Sequence, residues 1–119
     1  MAANPVAPVP ELSLDVVRNG DEVLVHCHGR IVSATAGTLQ ERVRAAIPGS
    51  MRIVLDLTDV AYLDSSGLGT LVGLYVSARR GGSSLRLIHL SERVKELLKL
   101  TQLAGIFEGH NEYLGMTPD

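Results

Sequence analysis

Two hydroxyls, a carboxylate and two glycines stand together at Asp64-Ser65-Ser66-Gly67-Leu68-Gly69, with Gly73 one helical turn further on. Glycine inside a helix costs about 1 kcal/mol relative to alanine, so such crowding at a helix start needs a compensating gain. A structural gain is available: Gly69 and Gly73 would let the helix lie close to a sheet, and Asp64 or Ser65 would cap its first turn. A chemical gain is equally available. Bare N–H groups and hydroxyls at a helix N-terminus form an electropositive spot that suits an anion or a covalently attached phosphate. On the residues alone both readings stand. Nucleotide loops are excluded, because no Gly-Lys-Ser or Gly-Lys-Thr supplies a phosphate-reaching lysine, and Gly67-Leu68-Gly69 lacks the third glycine of a dinucleotide fingerprint.

The same serines do not make a hydrolase. The elbow of such enzymes requires Gly-x-Ser-x-Gly, and Asp64 stands where its first glycine belongs. No histidine has a spacing that would bring it to Ser66. His26 and His28, two apart on an expected strand, share one face with Cys27 on the other. A metal site needs three or four ligands, however, and neither His89 nor His110 has a recognisable spacing to that pair. No metal, no cofactor and no catalytic residue is expected. One cysteine excludes an internal disulfide.

The 119-residue chain is 45% apolar, carries a formal charge of -2, and holds only three Tyr, one Phe and no Trp. A chain of this size buries roughly two thirds of its extended surface, enough for one domain with a real core. Few aromatics and a slight acidic excess argue against direct nucleic-acid binding. The longest nearly apolar stretch, Leu71 to Val76, is far short of the roughly 20 residues that span a bilayer. No secretion signal is legible at the N-terminus. A cytoplasmic location is expected, without membrane insertion.

The elements that must position the serine block follow from hydrophobic period. Residues 1–10 carry Pro5, Pro8 and Pro10 among small side chains and read as an extended lead-in. Leu12, Leu14 and Val16 alternate with a period near two, Arg18-Asn19-Gly20-Asp21 tolerates a turn, and Val23 to Gly29 returns, which predicts a hairpin. Ala36, Leu39, Val43 and Ile47 then recur every three or four residues, predicting a helix from about Thr35 to Ala46. Arg52 to Leu57 is a β-branched apolar run suited to a strand buried on both faces. From Ser66 the helical period returns with Leu68, Leu71, Val72, Tyr75 and Val76, ending at Arg79-Arg80-Gly81-Gly82. Leu85 to Leu90 reads as another strand, Ser91 as an N-cap, and Val94, Leu97, Leu98 and Thr101 as a third helix face. Ile106-Phe107 would add a short edge strand. This order implies an α/β fold, a mixed four- to five-stranded sheet with crossover helices.

At the serine block the sequence resembles the STAS domains, and among them the bacterial anti-sigma factor antagonists. The matching pieces are Val54-Leu55-Asp56-Leu57, Val60-Ala61-Tyr62-Leu63-Asp64-Ser65-Ser66-Gly67-Leu68-Gly69, Gly82-Ser83-Ser84-Leu85-Arg86-Leu87, and Val94-Lys95-Glu96-Leu97-Leu98 followed by Leu103 and Phe107. The resemblance implies the STAS (sporulation anti-anti-sigma-like) fold over residues 11–115, leaving 116–119 as a tail. It also implies a regulator that binds an anti-sigma factor of the ATPase-like serine kinase type and is released when that kinase phosphorylates a serine. A PP2C-type phosphatase would reverse the modification. By position the acceptor is Ser66, with Ser65 as second choice, and Asp64, Gly67, Leu68 and Gly69 join the partner surface.

The chain departs from that family at one place. Many phosphorylated antagonists carry Gly-Glu-Leu-Asp at the end of the second strand, where this chain has Gly29-Arg30-Ile31-Val32-Ser33. Arg30 and Ser33 therefore replace two carboxylates near the expected partner surface, and Arg30 reads either as a solvated side chain or as a local phosphate partner. A non-phosphorylated STAS scaffold, in a lipid-transport or stress-signalling complex, is the alternative this departure leaves open. Leu100, beyond the apolar quota of one helix face, is a further candidate contact, although core packing accounts for most of its neighbours.

Overall fold

Residues 11–101 are described in the computed structural model of the protein, in the order β1 (Leu12–Asn19), β2 (Glu22–Ile31), α1 (Ser33–Ala46), β3 (Arg52–Leu63), α2 (Ser65–Arg80), β4 (Ser84–Ile88) and α3 (Glu92–Leu100). The expected Ile106-Phe107 strand, Leu103, His110 and the proline-rich lead-in lie outside the described residues. The four strands form one sheet in the order β1-β2-β3-β4. β1 and β2 pair antiparallel through a turn at Gly20, whose φ of +62° favours glycine. β2, β3 and β4 run parallel, joined through α1 and α2, as helix-linked strands in one sheet must usually be.

Strand alternation selects the core. Val23, Val25 and Cys27 of β2, Ile53, Leu55 and Leu57 of β3, and Leu85 and Leu87 of β4 are all buried, and they join Leu39 and Val43 of α1 and Leu71 and Leu74 of α2 in one cluster. Each fully buried aliphatic side chain contributes about 1.5–3 kcal/mol, which outweighs the small propensity differences among these residues. Cys27 is sealed in this layer, where burial and the nearby Asp56 charge push its thiol pKa up to about 12. It stays protonated and unreactive.

β3 continues beyond the expected Arg52–Leu57 run as far as Leu63. Its register against β2 shifts twice, between His26 and His28 and again between Gly29 and Arg30. Each shift inserts an extra β3 residue, so the unbroken buried run from Ile53 to Leu57 gives way to Val60 and Leu63, three apart. The α2 face is also rotated from the expected one: Thr70, Leu74 and Ala78 are buried with Leu68 and Leu71, while Val76 is exposed. In α1 the buried face starts at Thr35 rather than Ala36. Ser91 caps α3 as its position predicts, its Oγ accepting the Val94 N–H at 3.2 Å.

Candidate functional site

The serine block occupies the handover from β3 to α2. Asp64 is the N-cap in extended conformation, and its Oδ1 accepts the Gly67 N–H at 2.8 Å. That bond uses the Asp64 side chain as cap and leaves Ser65 and Ser66, the first two helical residues, exposed. They open a helix of sixteen residues with Arg79 and Arg80 in its last turn, so the dipole at the exposed hydroxyls is that of a full helix.

Close approach falls at Gly67 rather than at Gly69 and Gly73. A Cβ at Gly67 would overlap the carbonyl oxygen and carbon of Ile31, backbone atoms that cannot swing aside. Gly69 and Gly73 are exposed, and a Cβ on either would meet nothing within 4 Å. The expectation that this pair admits the sheet is therefore corrected: one glycine does so, because the end of β2 lies under the first turn of α2.

That contact brings the second predicted segment to the site. Gly29 has a φ of +121°, and a Cβ there would strike the Glu11 carbonyl, which accounts for glycine at this position. Arg30 stands opposite Tyr62 in the β2–β3 ladder. Its guanidinium carbon lies 5.1 Å from the Tyr62 ring centre, and Nη1 is 4.0 Å from Glu11 Oε1. Arg30 is thus an exposed cation resting on an aromatic face. Ser33 is the exposed first residue of α1.

A groove of about 410 Å³ opens beside the block, with Tyr62, Asp64 and Ser65 on one wall and Arg93, Leu97 and Leu100 of α3 on the other. Leu100 is 75% exposed, so the apolar residue singled out in the sequence sits on the same surface as the serines. Tyr62, Arg93 and Leu97 are residues that sequence reading did not assign to this surface. The legible signal was the spacing of Arg93, Leu97 and Leu100 along one helical strip.

The histidines fall elsewhere. On the opposite sheet face from the helix-covered core, His28 Nδ1 lies 3.0 Å from Asp59 Oδ2 and its Nε2 lies 3.0 Å from Asp15 Oδ2. His26 Nδ1 approaches Asp56 Oδ2 to 3.0 Å, and His89 Nδ1 bonds Asp56 Oδ1 at 3.1 Å. Carboxylates and not a metal ligand set surround them: among the described residues no group of three or more His, Cys, Asp or Glu side chains could hold a metal ion. No described helix is long and apolar enough to cross a membrane.

Comparison with known proteins follows the same lines. The family model of the STAS domain matches residues 13–113. The anti-sigma-B factor antagonist of Bacillus subtilis is 33% identical over 97 residues, covering 82% of this chain and 89% of that protein. Its namesake in Listeria monocytogenes is 35% identical over 95 residues, covering 79% and 83%. Among solved structures, the anti-sigma factor antagonist SpoIIAA in its unphosphorylated form superposes with a TM-score of 0.67 at 16% identity, covering 90% of this chain and 99% of that one. SpoIIAA in the phosphorylated form gives 0.62, covering 79% and 86%. The likeness to SpoIIAA establishes the fold.

Proposed function

The chain belongs to the STAS domain family, and from that membership and the site geometry we propose that it is an anti-sigma factor antagonist switched at Ser66. It binds an anti-sigma factor through the α2 start and the adjoining groove, and so regulates transcription by partner exchange rather than catalysis. The observation that carries this reading is the exposure of Ser65 and Ser66 at a helix start whose cap is already supplied by Asp64, beside a groove that also presents Leu100. These hydroxyls are spare: neither is needed to close the helix.

The partner is an anti-sigma factor of the ATPase-like serine kinase type, and a PP2C-type phosphatase restores the free hydroxyl. Phosphorylation adds about -1.5 to -2 charge. At the start of α2 the helix dipole would favour that charge by only about 0.3–1 kcal/mol, too little to remodel the domain. Within a docked interface the same dianion must lose water without a prepared counter-charge, which costs several kcal/mol. Every 1.4 kcal/mol is tenfold in affinity, so one phosphate ejects the partner while the fold persists.

Arg30 and Ser33 replace the carboxylates of many relatives, and this favours one second reading, a STAS scaffold that is not phosphorylated. Incubation with the kinase and ATP, followed by intact-mass measurement, separates the two. The switch requires one added phosphate on the wild-type chain, its loss in Ser66→Ala, and at least a hundredfold weaker binding of the phosphorylated form. No added phosphate, or equal binding by both forms, favours the scaffold.

A further inference from the structure

His89 is the sole non-glycine residue among those described with a positive φ, +57°. It lies between the last residue of β4 and the N-cap of α3, so its backbone angle sets the direction in which α3 leaves the sheet. The left-handed region is disfavoured for an L-residue, and histidine is among the residues that reach it when the side chain finds a local partner. The partner here is Asp56, a carboxylate in the middle of β3 that is only 7% exposed.

Asp56 is fully engaged. Oδ1 accepts from the Thr58 N–H at 3.0 Å, the Thr58 hydroxyl at 2.6 Å and His89 Nδ1 at 3.1 Å, while His26 Nδ1 stands 3.0 Å from Oδ2. Burial alone would raise its pKa. The hydrogen bonds from Thr58 and His89, with the His89 charge, outweigh burial and hold the carboxyl below its ordinary value. The other charged groups on this sheet face are Glu22 and His28 of β2, Asp15 of β1, Arg52 and Asp59 of β3, and Arg86 of β4, which stands opposite Val54 in the ladder.

We infer that Asp56 is a positioning residue for the partner surface: through His89 it ties the start of α3 to the sheet and so sets the far wall of the groove beside Ser65. Leu90, Val94 and Leu98 anchor α3 in the core, and apolar contacts are non-directional. The Asp56–His89 bond adds the direction. The inference rests on the docking role given to the groove above, but the tie itself is measurable without any partner.

The test is amide hydrogen exchange of the full-length chain by NMR, expressed as protection relative to the unstructured rate. His89→Gly keeps the left-handed backbone, removes an exposed ring and cannot collapse the core; Asp56→Asn removes the carboxylate. Both variants are expected to lower protection across Glu92–Leu100 about tenfold at pH 7, with β3 amides unchanged in His89→Gly. Acid gives the control that generic loosening cannot imitate. A carboxylate with a lowered folded pKa stabilises above its unfolded value and loses that contribution as pH falls through the folded one. Wild-type α3 should therefore lose protection below the ordinary carboxylate range, and His89→Gly should show no such α3-specific step.

Wild-type protection of α3 in His89→Gly at pH 7, or an acid step that survives in that variant, overturns the tie. Affinity for the anti-sigma factor, measured in parallel, should fall several-fold in His89→Gly. Loosened α3 with unchanged affinity upholds the tie and removes α3 from the docking surface proposed above.

Discussion

The two helices that follow parallel strands, α1 after β2 and α2 after β3, begin in opposite ways. At α1 the N-cap is Val32, which has no side-chain acceptor, and the third helical residue is Thr35. The buried Thr35 hydroxyl accepts the Val32 N–H at 2.9 Å and donates to the Arg30 carbonyl at 2.8 Å, so the polar chemistry of this junction is turned inward and consumed. At α2 the cap is the Asp64 carboxylate, the third residue is Gly67, and the second is Ser66 where α1 has Ala34. The same handover of strand to helix is thus a sealed joint in one place and an exposed hydroxyl pair in the other. What decides between them is which position carries the oxygen: the third residue faces inward, and the first two face solvent.

That contrast can be broken most severely at the third position. Gly67→Ala places a methyl group on the Ile31 carbonyl, and relief requires moving either α2 or the end of β2, at a cost of about 3 kcal/mol. At the matching position of α1, Thr35→Val keeps shape but strips the hydroxyl from two backbone groups, costing about 2 kcal/mol. Urea midpoints of the two variants measure both. A Gly67→Ala variant as stable as wild type would show that the α2 start is not pinned to β2.

The caps come next. Asp64→Ala removes the acceptor of the Gly67 N–H and should cost about 1 kcal/mol, recovered largely by Asp64→Ser, which restores an N-cap oxygen. Val32→Ala at α1 removes no cap bond, so its loss should reflect the few buried methyl groups alone. If Asp64→Ser fails to recover stability, the carboxylate does more than cap.

Most of the frame is legible in the sequence because it rests on period. The hairpin, the buried middle strand, the segment that ends at Arg79-Arg80-Gly81-Gly82 and the Ser91 cap each leave a local pattern. The serine block is legible for the same reason, as glycine and hydroxyl crowding at a helix start is locally expensive. The missed features are long-range. That Gly67 and not Gly69 meets the sheet depends on where Ile31 ends, 36 residues earlier in the chain. The β3 bulges hide the strand's continuation past Leu57, because register is a property of a pair of strands. Arg30 looks unpartnered until Tyr62 is placed opposite it, and Asp56 looks like one polar residue in an apolar run until His26 and His89 converge on it.

The smallest expected effect bears most directly on why α2 begins as it does. Gly69 and Gly73 meet no neighbour that requires glycine, so alanine at either should stabilise the domain by about 0.5–1 kcal/mol. The two differ in place. Gly69 is three residues beyond Ser66, so a methyl group there would lie beside the proposed acceptor hydroxyl on the helix surface, whereas Gly73 is a further turn away. If bareness serves the approach of a kinase or an anti-sigma factor, Gly69→Ala should stabilise and slow phosphorylation of Ser66, and Gly73→Ala should stabilise and leave it unchanged. Equal rates in both variants would mean that Gly69 serves neither packing nor access. Joint measurement of urea midpoint and phosphorylation rate separates these outcomes, since stability and access then move in opposite directions at one position and not at the other.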